Sequence, residues 1–400
     1  PLRDAVMDRD LWQTVGLITT WQIAASVCYY AVFAAGPFFR DAFGLSRFEV
    51  GLTVTALTLG YAVCLIPVGA LTDRYGERVT LTGGLVGLAV GMVLVASASG
   101  YASLLVAVVL LGAVYSTAMP GTNKAVYDTI PADRLNTAMG IKQVGITGGS
   151  GLSALLVTGL AGYLFWQAGF LVAAVVGAAV AVAFYALYRT KREGTAEYPD
   201  LRALTDNRPY VLLALSGLFL GAALFTTTGY TILYVEESLG GSVAFGGVVL
   251  AVVQLFGSGG RVLSGWLADR LPGDPHARIG GILLVQTLAS GALFLVVART
   301  STPRSAALAF AALGFFVLGF TGVYYSYMTT LVAPGAVGSA TAGCQLTLNA
   351  GALVAPPVFG LLADGADYGT GWTFLAVTCL LAALLVAAVI RSPPPRAVTA

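Results

Sequence analysis

The chain has 400 residues, of which 57% are hydrophobic and only 10% are charged, and its mean hydropathy is +0.84. A soluble domain carries about 25% charged residues, so this composition excludes a water-soluble globular protein. The net charge of +2 and the lack of a basic block argue against nucleic-acid binding. The four cysteines stand far apart and there is a single histidine, which argues against a disulfide framework or a metal site.

Twelve apolar stretches are each long enough to cross a bilayer, for which a helix needs about 20 residues. The predicted spans are 11–39, 49–72, 79–98, 101–123, 137–161, 164–188, 209–235, 243–268, 279–299, 304–330, 337–362 and 370–390. The longest polar break, 189–208, lies near the middle of the chain. We therefore predict an all-α membrane protein with an N-terminal bundle (1–188), a cytoplasmic linker (189–208) and a C-terminal bundle (209–400), each bundle having six helices.

The distribution of Lys and Arg predicts how the spans are oriented. If the N-terminus lies in the cytoplasm, 15 of the 21 basic residues fall on the inner side, 4 fall in outer loops and 2 fall within spans. Basic residues are enriched in the cytoplasmic loops of membrane proteins. We therefore expect both termini to be cytoplasmic.

Two sequence echoes indicate that the second half of the chain repeats the first. GALTDRYGER after the second span is echoed by GWLADRLPGD after the eighth, which places Asp73 and Asp269 196 residues apart. GIKQVGITGG in the fifth span is echoed by AGCQLTLNAG in the eleventh, which places Gln143 and Gln345 202 residues apart. These similar offsets predict a duplicated six-helix unit, and hence two pseudo-symmetric bundles.

Twelve spans in two parallel halves, with G-x-x-x-D-R-x-G after the second span, resemble the major facilitator superfamily. The motif consists of Gly69, Asp73, Arg74, Gly76 and Arg78, with a degenerate copy at Gly265, Asp269 and Arg270. The resemblance covers essentially the whole chain. It implies secondary transport of a small solute by alternating access, in a monomer of the prokaryotic cytoplasmic membrane that needs no cofactor. Glu77 departs from the family pattern, because this position is usually basic.

The D-R-x-G motif also has a physical rationale. Asp73 comes just before the third span, so we expect its carboxylate to cap that helix at the positive end of the helix dipole. Gly76 is free to take a positive φ in the tight turn. The resemblance implies that this loop is a cytoplasmic latch that stabilises the state closed to the inside. The alternative is that its charges serve topology and capping alone.

Two basic residues inside spans are the first candidates for contact with a solute, because ionisable groups in a membrane are costly. Lys142 lies five residues into the fifth span and is followed by Gln143 and a glycine-rich face. This GIKQ segment resembles that of superfamily members of the cyanate and nitrate types. Arg261 lies eight residues before Asp269 in the eighth span. Alternatively, both side chains snorkel to the headgroups, or Arg261 pairs with Asp269.

Neutral polar residues complete the predicted site, which such transporters place near the bilayer midplane between their halves. Tyrosine hydroxyls and amides orient polar solutes through hydrogen bonds, although they also bridge helices. The candidates in the first half are Gln22, Tyr29, Tyr30, Tyr115 and Asn123. Those in the second half are Tyr230, Gln254, Tyr324, Tyr325, Tyr327, Gln345 and Asn349.

The sequence has no carboxylate near the middle of any predicted span. It also lacks the Gly-Pro pair that drug/proton antiporters of the family carry in the fifth span. A transporter with intramembrane cations and no buried acid most simply moves an anion. We therefore predict a transporter of a small organic or inorganic anion, with a proton or a counter-anion as its coupling species.

The alternative is a transporter of neutral or cationic solutes, of the sugar or drug type, in which Lys142 and Arg261 are structural. An enzyme is not expected, because the sequence has no recognisable nucleophile–base set, phosphate-binding loop or metal cluster.

Overall fold

The computed structural model describes residues 2–131, 135–189 and 204–392, and the regular elements in these ranges are helices. Within the described residues, twelve helical spans are long and apolar enough to cross a membrane. The predicted all-α fold with twelve spans is therefore confirmed. Most of the predicted linker, 189–208, lies outside the described residues.

The helices follow one another along the chain with short connections. They are α1 (Leu2–Ala34), α2 (Gly36–Phe43), α3 (Arg47–Tyr75), α4 (Glu77–Ala96), α5 (Tyr101–Tyr115), α6 (Ala118–Thr129), α7 (Leu135–Ala161), α8 (Gln167–Leu187), α9 (Arg208–Glu237), α10 (Val243–Arg270), α11 (Pro275–Val297), α12 (Pro303–Val317), α13 (Phe320–Thr329), α14 (Val337–Gly365) and α15 (Tyr368–Arg391).

The chain divides into two compact units. Unit 1 comprises Pro1–Phe38 and Ala56–Tyr198, and unit 2 comprises Phe39–Thr55 and Pro199–Ala400. In unit 1, α1 packs along α7 and α4 packs along α8. In unit 2, α9 packs along α14 and α11 packs along α15. The first and fifth spans of each half therefore pair, as do the third and sixth, so the repeat seen in the sequence extends to helix packing.

The fourth and tenth spans, predicted as continuous helices, are each split into two helices. The bounds of α5 and α12 differ by 202 residues, as do the first residues of α6 and α13. In the fourth span, Ser116 Oγ and Thr117 Oγ1 donate to carbonyls of the preceding turn at 2.6 and 2.9 Å. Such hydroxyl–carbonyl bonds compete with the helical hydrogen bonds. This offers a local cause for the break in unit 1, where the chain turns from α5 into α6.

Glycines bring helices into close contact in unit 1. A Cβ on Gly60 of α3 would overlap the carbonyl oxygen of Val109 in α5, and a Cβ on Gly112 of α5 would overlap that of Leu57 in α3. Van der Waals packing is a main attraction between helices in lipid, so small residues stabilise such crossings.

The same arrangement recurs in unit 2 between α9 and α14. A Cβ on Gly221 would overlap the carbonyl oxygen of Leu348, and a Cβ on Gly351 would overlap that of Leu218. Gly351 belongs to the sequence echo of the fifth and eleventh spans, so that echo reflects a packing requirement.

Candidate functional site

The described part of the chain buries two acidic or basic side chains completely. These are Glu77 and Lys142, each 0% exposed, and both belong to unit 1. Charged groups away from water are expensive unless they are paired. The surroundings of these two residues therefore define the candidate site.

Lys142 lies on α7 with its ammonium directed at α6. Its Nζ donates to Asn123 Oδ1 at 2.5 Å and lies 3.8 Å from Met119 Sδ. Asn123 and Met119 are four residues apart, so they share one face of α6. An ammonium has three donors, and Asn123 offers a neutral oxygen. The ion pairs of the described residues do not include Lys142. Its charge therefore lacks a carboxylate partner within the described ranges.

A buried polar network begins beside Asn123 and runs into α1. Thr122 Oγ1 donates to Gln22 Oε1 at 3.5 Å, and Gln22 Nε2 donates to Ser26 Oγ at 3.1 Å and to Tyr115 OH at 3.4 Å. The Ser26 and Tyr115 hydroxyls are 3.1 Å apart. Gln22, Ser26 and Thr122 are each 0% exposed. The network thus joins α1, α5 and α6 on the side of unit 1 that holds Lys142.

The predicted tyrosines of the first half meet around this network. The rings of Tyr29 and Tyr115 are stacked with centroids 4.0 Å apart, and Tyr30 meets Tyr29 edge-on at 5.1 Å. Gly145 allows α7 to approach α1, because a Cβ there would lie 3.2 Å from Gln22 Cβ. Gln143 is half-buried on α7. The sequence analysis therefore named Lys142, Gln22 and the tyrosines as candidates, but it did not name Ser26 or Thr122.

In unit 2 the predicted residues form a neutral chain instead. Tyr325 OH donates to Gln345 Oε1 at 2.5 Å, and Gln345 Nε2 donates to Asn349 Oδ1 at 3.3 Å. Asn349 Nδ2 is buried without a hydrogen-bond partner in the described residues. Tyr324 is fully buried and its hydroxyl donates to Leu213 O at 3.4 Å. Gln345 and Asn349 thus come together, and Tyr325 joins them.

The two predicted residues of α10 are Gln254 and Arg261. Gln254 is 3% exposed. Arg261 is half-buried, and its Nε donates to Leu318 O at 3.0 Å, at the break between α12 and α13. The guanidinium therefore serves the backbone where helical hydrogen bonding is interrupted.

The D-R-x-G residues lie at the junction of α3 and α4. Gly76 has φ 79° and occupies the N-cap position of α4. Helix α3 continues through Tyr75, so Asp73 lies in the last turn of α3, and Gly76 rather than Asp73 occupies the N-cap position of α4. Arg74 is exposed beside the Tyr75 ring, at 5.3 Å from its centroid. Gly69 is half-buried in α3.

Arg78 points toward α8. Its guanidinium donates to Tyr185 O at 2.6 Å and lies 4.3 Å from the centre of the Tyr185 ring. In the degenerate copy, Gly265 is half-buried, Asp269 and Arg270 are exposed, and Arg270 lies over the Trp266 ring at 4.8 Å.

The sequence matches the Major Facilitator Superfamily over residues 19–342. The chain belongs to this superfamily. It is 26% identical over 365 residues to a hexuronate transporter of Bacillus subtilis, covering 86% of each chain. It is 25% identical over 401 residues to a D-galactonate transporter of Escherichia coli, covering 90% of this chain and 92% of the relative. The chain is therefore a transporter and not an enzyme.

A solved structure supports the fold. A bacterial homologue of the human lysosomal transporter Spinster, in an inward-facing and unoccupied conformation, aligns with a TM-score of 0.81 at 15% sequence identity. The alignment covers 96% of this chain and 97% of that one. The architecture is thus that of the superfamily throughout.

In this member of the superfamily, the departure at Glu77 creates the second buried charge. Glu77 Oε1 accepts a hydrogen bond from Tyr188 OH at 3.1 Å, while Oε2 is buried without a partner in the described residues. Burial, and next the Glu77 carboxylate, raise the pKa of the Tyr188 hydroxyl, so the hydroxyl keeps its proton and donates. The sequence analysis noted that Glu77 departs from the family pattern, but it did not predict that Glu77 is buried. The departure from the pattern was the only sign in the sequence that this residue is unusual.

Two carboxylates at helix ends in unit 2, Glu237 and Asp364, form ion pairs with arginines. Glu237, at the end of α9, forms ion pairs with Arg40 and, at 2.8 Å, with Arg47. Asp364 accepts hydrogen bonds from the backbone N–H groups of Arg47 and Phe48 at 3.2 and 3.0 Å, at the start of α3. These groups satisfy one another and lie outside the predicted solute site.

Proposed function

We propose that this protein is a secondary transporter of organic anions in which Lys142 binds the carboxylate of the solute. The observation that carries the proposal is the complete burial of Lys142 without a carboxylate partner in the described residues. A bound carboxylate would supply the missing charge and accept charge-assisted hydrogen bonds from the ammonium. Snorkelling is disfavoured, because the ammonium is directed at Asn123 rather than exposed.

Hydroxylated carboxylates suit the surroundings of Lys142. The neighbouring network of Gln22, Ser26, Thr122 and Tyr115 contains amide and hydroxyl groups, which donate to and accept from sugar hydroxyls. Two relatives are named a hexuronate and a D-galactonate transporter. Sugar acids are therefore the first solutes to test.

The remaining elements of the proposal follow the superfamily. Bundles 1–188 and 209–400, joined by the linker 189–208, would alternate access to the solute in a monomer of a prokaryotic cytoplasmic membrane, with both termini inside. Arg261, Gln143, Gln345 and Asn349, with the tyrosines and Gln254, would complete the polar lining. The D-R-x-G residues would act as a latch, so that Asp73→Asn slows transport without preventing insertion.

Uptake into proteoliposomes tests the role of Lys142. Wild type should accumulate D-galactonate or D-glucuronate, and Lys142→Met should lower uptake by about 100-fold, since a hydrogen-bonded charge contributes about 3 kcal/mol. Lys142→Arg, which keeps the charge, is the matched control and should retain part of the activity. Uptake that survives Lys142→Met would refute the assignment. Competition by D-galactose but not by the acids would select a transporter of neutral solutes.

A further inference from the structure

We propose that Asn123 competes with the solute for Lys142. Its amide oxygen accepts the hydrogen bond of the ammonium while the site is empty, and the carboxylate of the solute displaces it. This inference rests on the proposed function, because it takes Lys142 as the carboxylate-binding residue. It adds a residue that controls how tightly the solute binds and how readily the solute leaves.

The contact between Asn123 and Lys142 resembles the one that a carboxylate would make. Lys142 Nζ donates to Asn123 Oδ1 at 2.5 Å and lies 3.8 Å from Met119 Sδ. An amide oxygen and a carboxylate oxygen both accept hydrogen bonds from an ammonium, but the amide carries no charge. Asn123 therefore provides the lysine with the same kind of acceptor as the solute, without neutralising it.

The burial of these side chains shows why the amide has to move. Lys142 is 0% exposed, whereas Asn123 and Met119, which contact its ammonium, are only half-buried. A solute can therefore reach Asn123 from outside the fold, but it finds no free surface of the ammonium. A carboxylate that binds Lys142 takes the place of the amide oxygen, so the amide has to leave first.

Asn123 can leave without a rearrangement of its helix. An asparagine side chain moves between staggered rotamers about its Cα–Cβ bond, and such a change would withdraw the amide from the ammonium. The preceding residue, Thr122, donates to Ala118 O at 2.5 Å and to Gln22 Oε1 at 3.5 Å. These bonds hold the backbone of α6 and connect it to α1 beside the moving side chain.

The difference in charge between the two acceptors makes the exchange reversible. A carboxylate adds the attraction of opposite charges to the hydrogen bond, so it replaces the amide when the solute is present. When the solute departs, the amide returns, and the buried ammonium is not left without an acceptor, which would be costly. A neutral amide at position 123 thus allows the solute both to bind and to leave.

Binding to two variants of Asn123 tests the displacement. Purified protein in detergent is titrated with D-galactonate and with D-glucuronate in a calorimeter. Asn123→Ala removes the competing acceptor, so it should bind the acid about tenfold more tightly than wild type. Asn123→Asp holds a tethered carboxylate next to the ammonium, so it should bind the acid about 100-fold more weakly.

The control for the added charge is Gln167→Glu. Gln167 is the first residue of α8 in unit 1 and belongs to neither the contacts of Lys142 nor the polar network described above, so this variant should bind as wild type. An equal loss of affinity in Gln167→Glu and Asn123→Asp would assign the effect to net charge and would overturn the proposal.

Weaker or unchanged binding by Asn123→Ala would also overturn it, because the amide would then support the lysine or contact the solute instead of competing with it. Wild-type affinity in Asn123→Asp would have the same consequence. If wild type binds neither acid, the proposed function fails instead.

Thermal unfolding covers the case in which Asn123→Ala does not fold. Asn123→Asp pairs the buried ammonium, so the solute-free variant should melt at a higher temperature than wild type. D-galactonate should raise the melting temperature of wild type but not that of Asn123→Asp, because a ligand stabilises only a protein that binds it. A variant that melts below wild type, or that D-galactonate stabilises as much as wild type, would contradict the proposal.

Uptake into proteoliposomes gives a kinetic readout. Because a more tightly bound acid leaves more slowly, Asn123→Ala should lower KM and the maximal rate together. A purely structural role of Asn123 would not lower KM. A raised KM in this variant would therefore contradict the competition.

Discussion

The two halves of this transporter have corresponding helices but differ in the placement of their charged side chains. At an offset of 202 residues, Lys142 of unit 1 corresponds to Cys344 of unit 2, and Asn123 corresponds to Tyr325. In unit 1 the lysine meets the asparagine at 2.5 Å, whereas in unit 2 Tyr325 bonds to the neutral Gln345, also at 2.5 Å. A side-chain hydrogen bond therefore joins the corresponding helices in both units, α6 with α7 and α13 with α14, but only the one in unit 1 involves a charged group.

The motif after the second span shows the same contrast. At the 196-residue offset, the buried Glu77 corresponds to Gly273. The described carboxylates at the ends of α9 and α14, Glu237 and Asp364, are instead held by arginines and backbone N–H groups. Unit 1 therefore buries charge that packing alone does not require, and unit 2 uses paired charge to join helix ends.

Removing the buried cation should have the largest effect and should separate function from stability. Because the ammonium of Lys142 has no carboxylate partner in the described residues, and an unpaired buried charge is costly, Lys142→Met should raise the stability of the detergent-solubilised protein by about 2 kcal/mol while lowering anion uptake by about 100-fold. Thermal unfolding and uptake would be measured on the same preparation. A variant less stable than wild type would show that the lysine is structural, and unit 1 would then resemble unit 2.

Breaking a paired charge in unit 2 should give the opposite result. Glu237→Gln leaves Arg40 and Arg47 without the charge of their shared carboxylate, and should lower stability by about 2–3 kcal/mol, between the values for surface and buried pairs. Glu236→Gln is the neighbouring control and should change it by less than about 0.5 kcal/mol. Equal melting temperatures for the two variants would contradict the structural role of this cluster.

The glycine crossings should be sensitive in both units, since both use them. Gly351→Ala in unit 2 and Gly60→Ala in unit 1 place a methyl group against the carbonyl oxygen of a facing helix. Each should lower the free energy of unfolding by about 2 kcal/mol. Gly148→Ala is the control, because a Cβ there meets no atom within 4 Å. Thermal unfolding would compare the three. If one unit tolerated its methyl group, the two halves would differ in packing as well as in charge.

Most of the fold was predictable, because it depends on signals that add up along the chain. Hydropathy gave the twelve spans, and two echoes with offsets of 196 and 202 residues gave the repeat. The breaks in the fourth and tenth spans were not predicted. Residues on both sides of Ser116 and Thr117 are apolar, so hydropathy runs through a break that local hydroxyl–carbonyl bonds favour.

The candidate site was predictable in part. Lys142 could be found because a basic residue inside a span is conspicuous in sequence, and Asn123 was a candidate as a polar residue in a span. Their contact could not be predicted, because it depends on how α6 packs against α7. Glu77 lies near a predicted loop, where an acidic residue is expected to be solvated. Its burial arises because α4 begins at this residue and Tyr188, 111 positions away, covers the carboxylate. A contact of that sequence separation leaves no local pattern.

The smallest predicted effect concerns helix capping, in which the sixth and twelfth spans differ. Asp367 caps α15 by accepting from Thr370 N at 2.7 Å, whereas the N-cap of α8, Trp166, has no side-chain cap. Asp367→Ala should therefore lower the free energy of unfolding by about 1 kcal/mol. Replacing Trp166 removes no capping hydrogen bond, so it should have no such effect. The hydrogen bond to Thr370 N–H lowers the pKa of Asp367 below its ordinary value.

Because the pKa of Asp367 is lower in the folded than in the unfolded protein, its carboxylate stabilises the fold at pH values above the unfolded-state pKa of about 3.9. This stabilisation is lost as the pH falls through the folded-state pKa. Asp367→Asn keeps a capping oxygen, so it should retain most of the stability at pH 7 and lose this pH dependence. Melting curves between about pH 3 and 7 for wild type and both variants would test this. If Asp367→Asn kept the wild-type pH profile, another acid would be responsible, and the capped end of α15 would not distinguish unit 2 from unit 1.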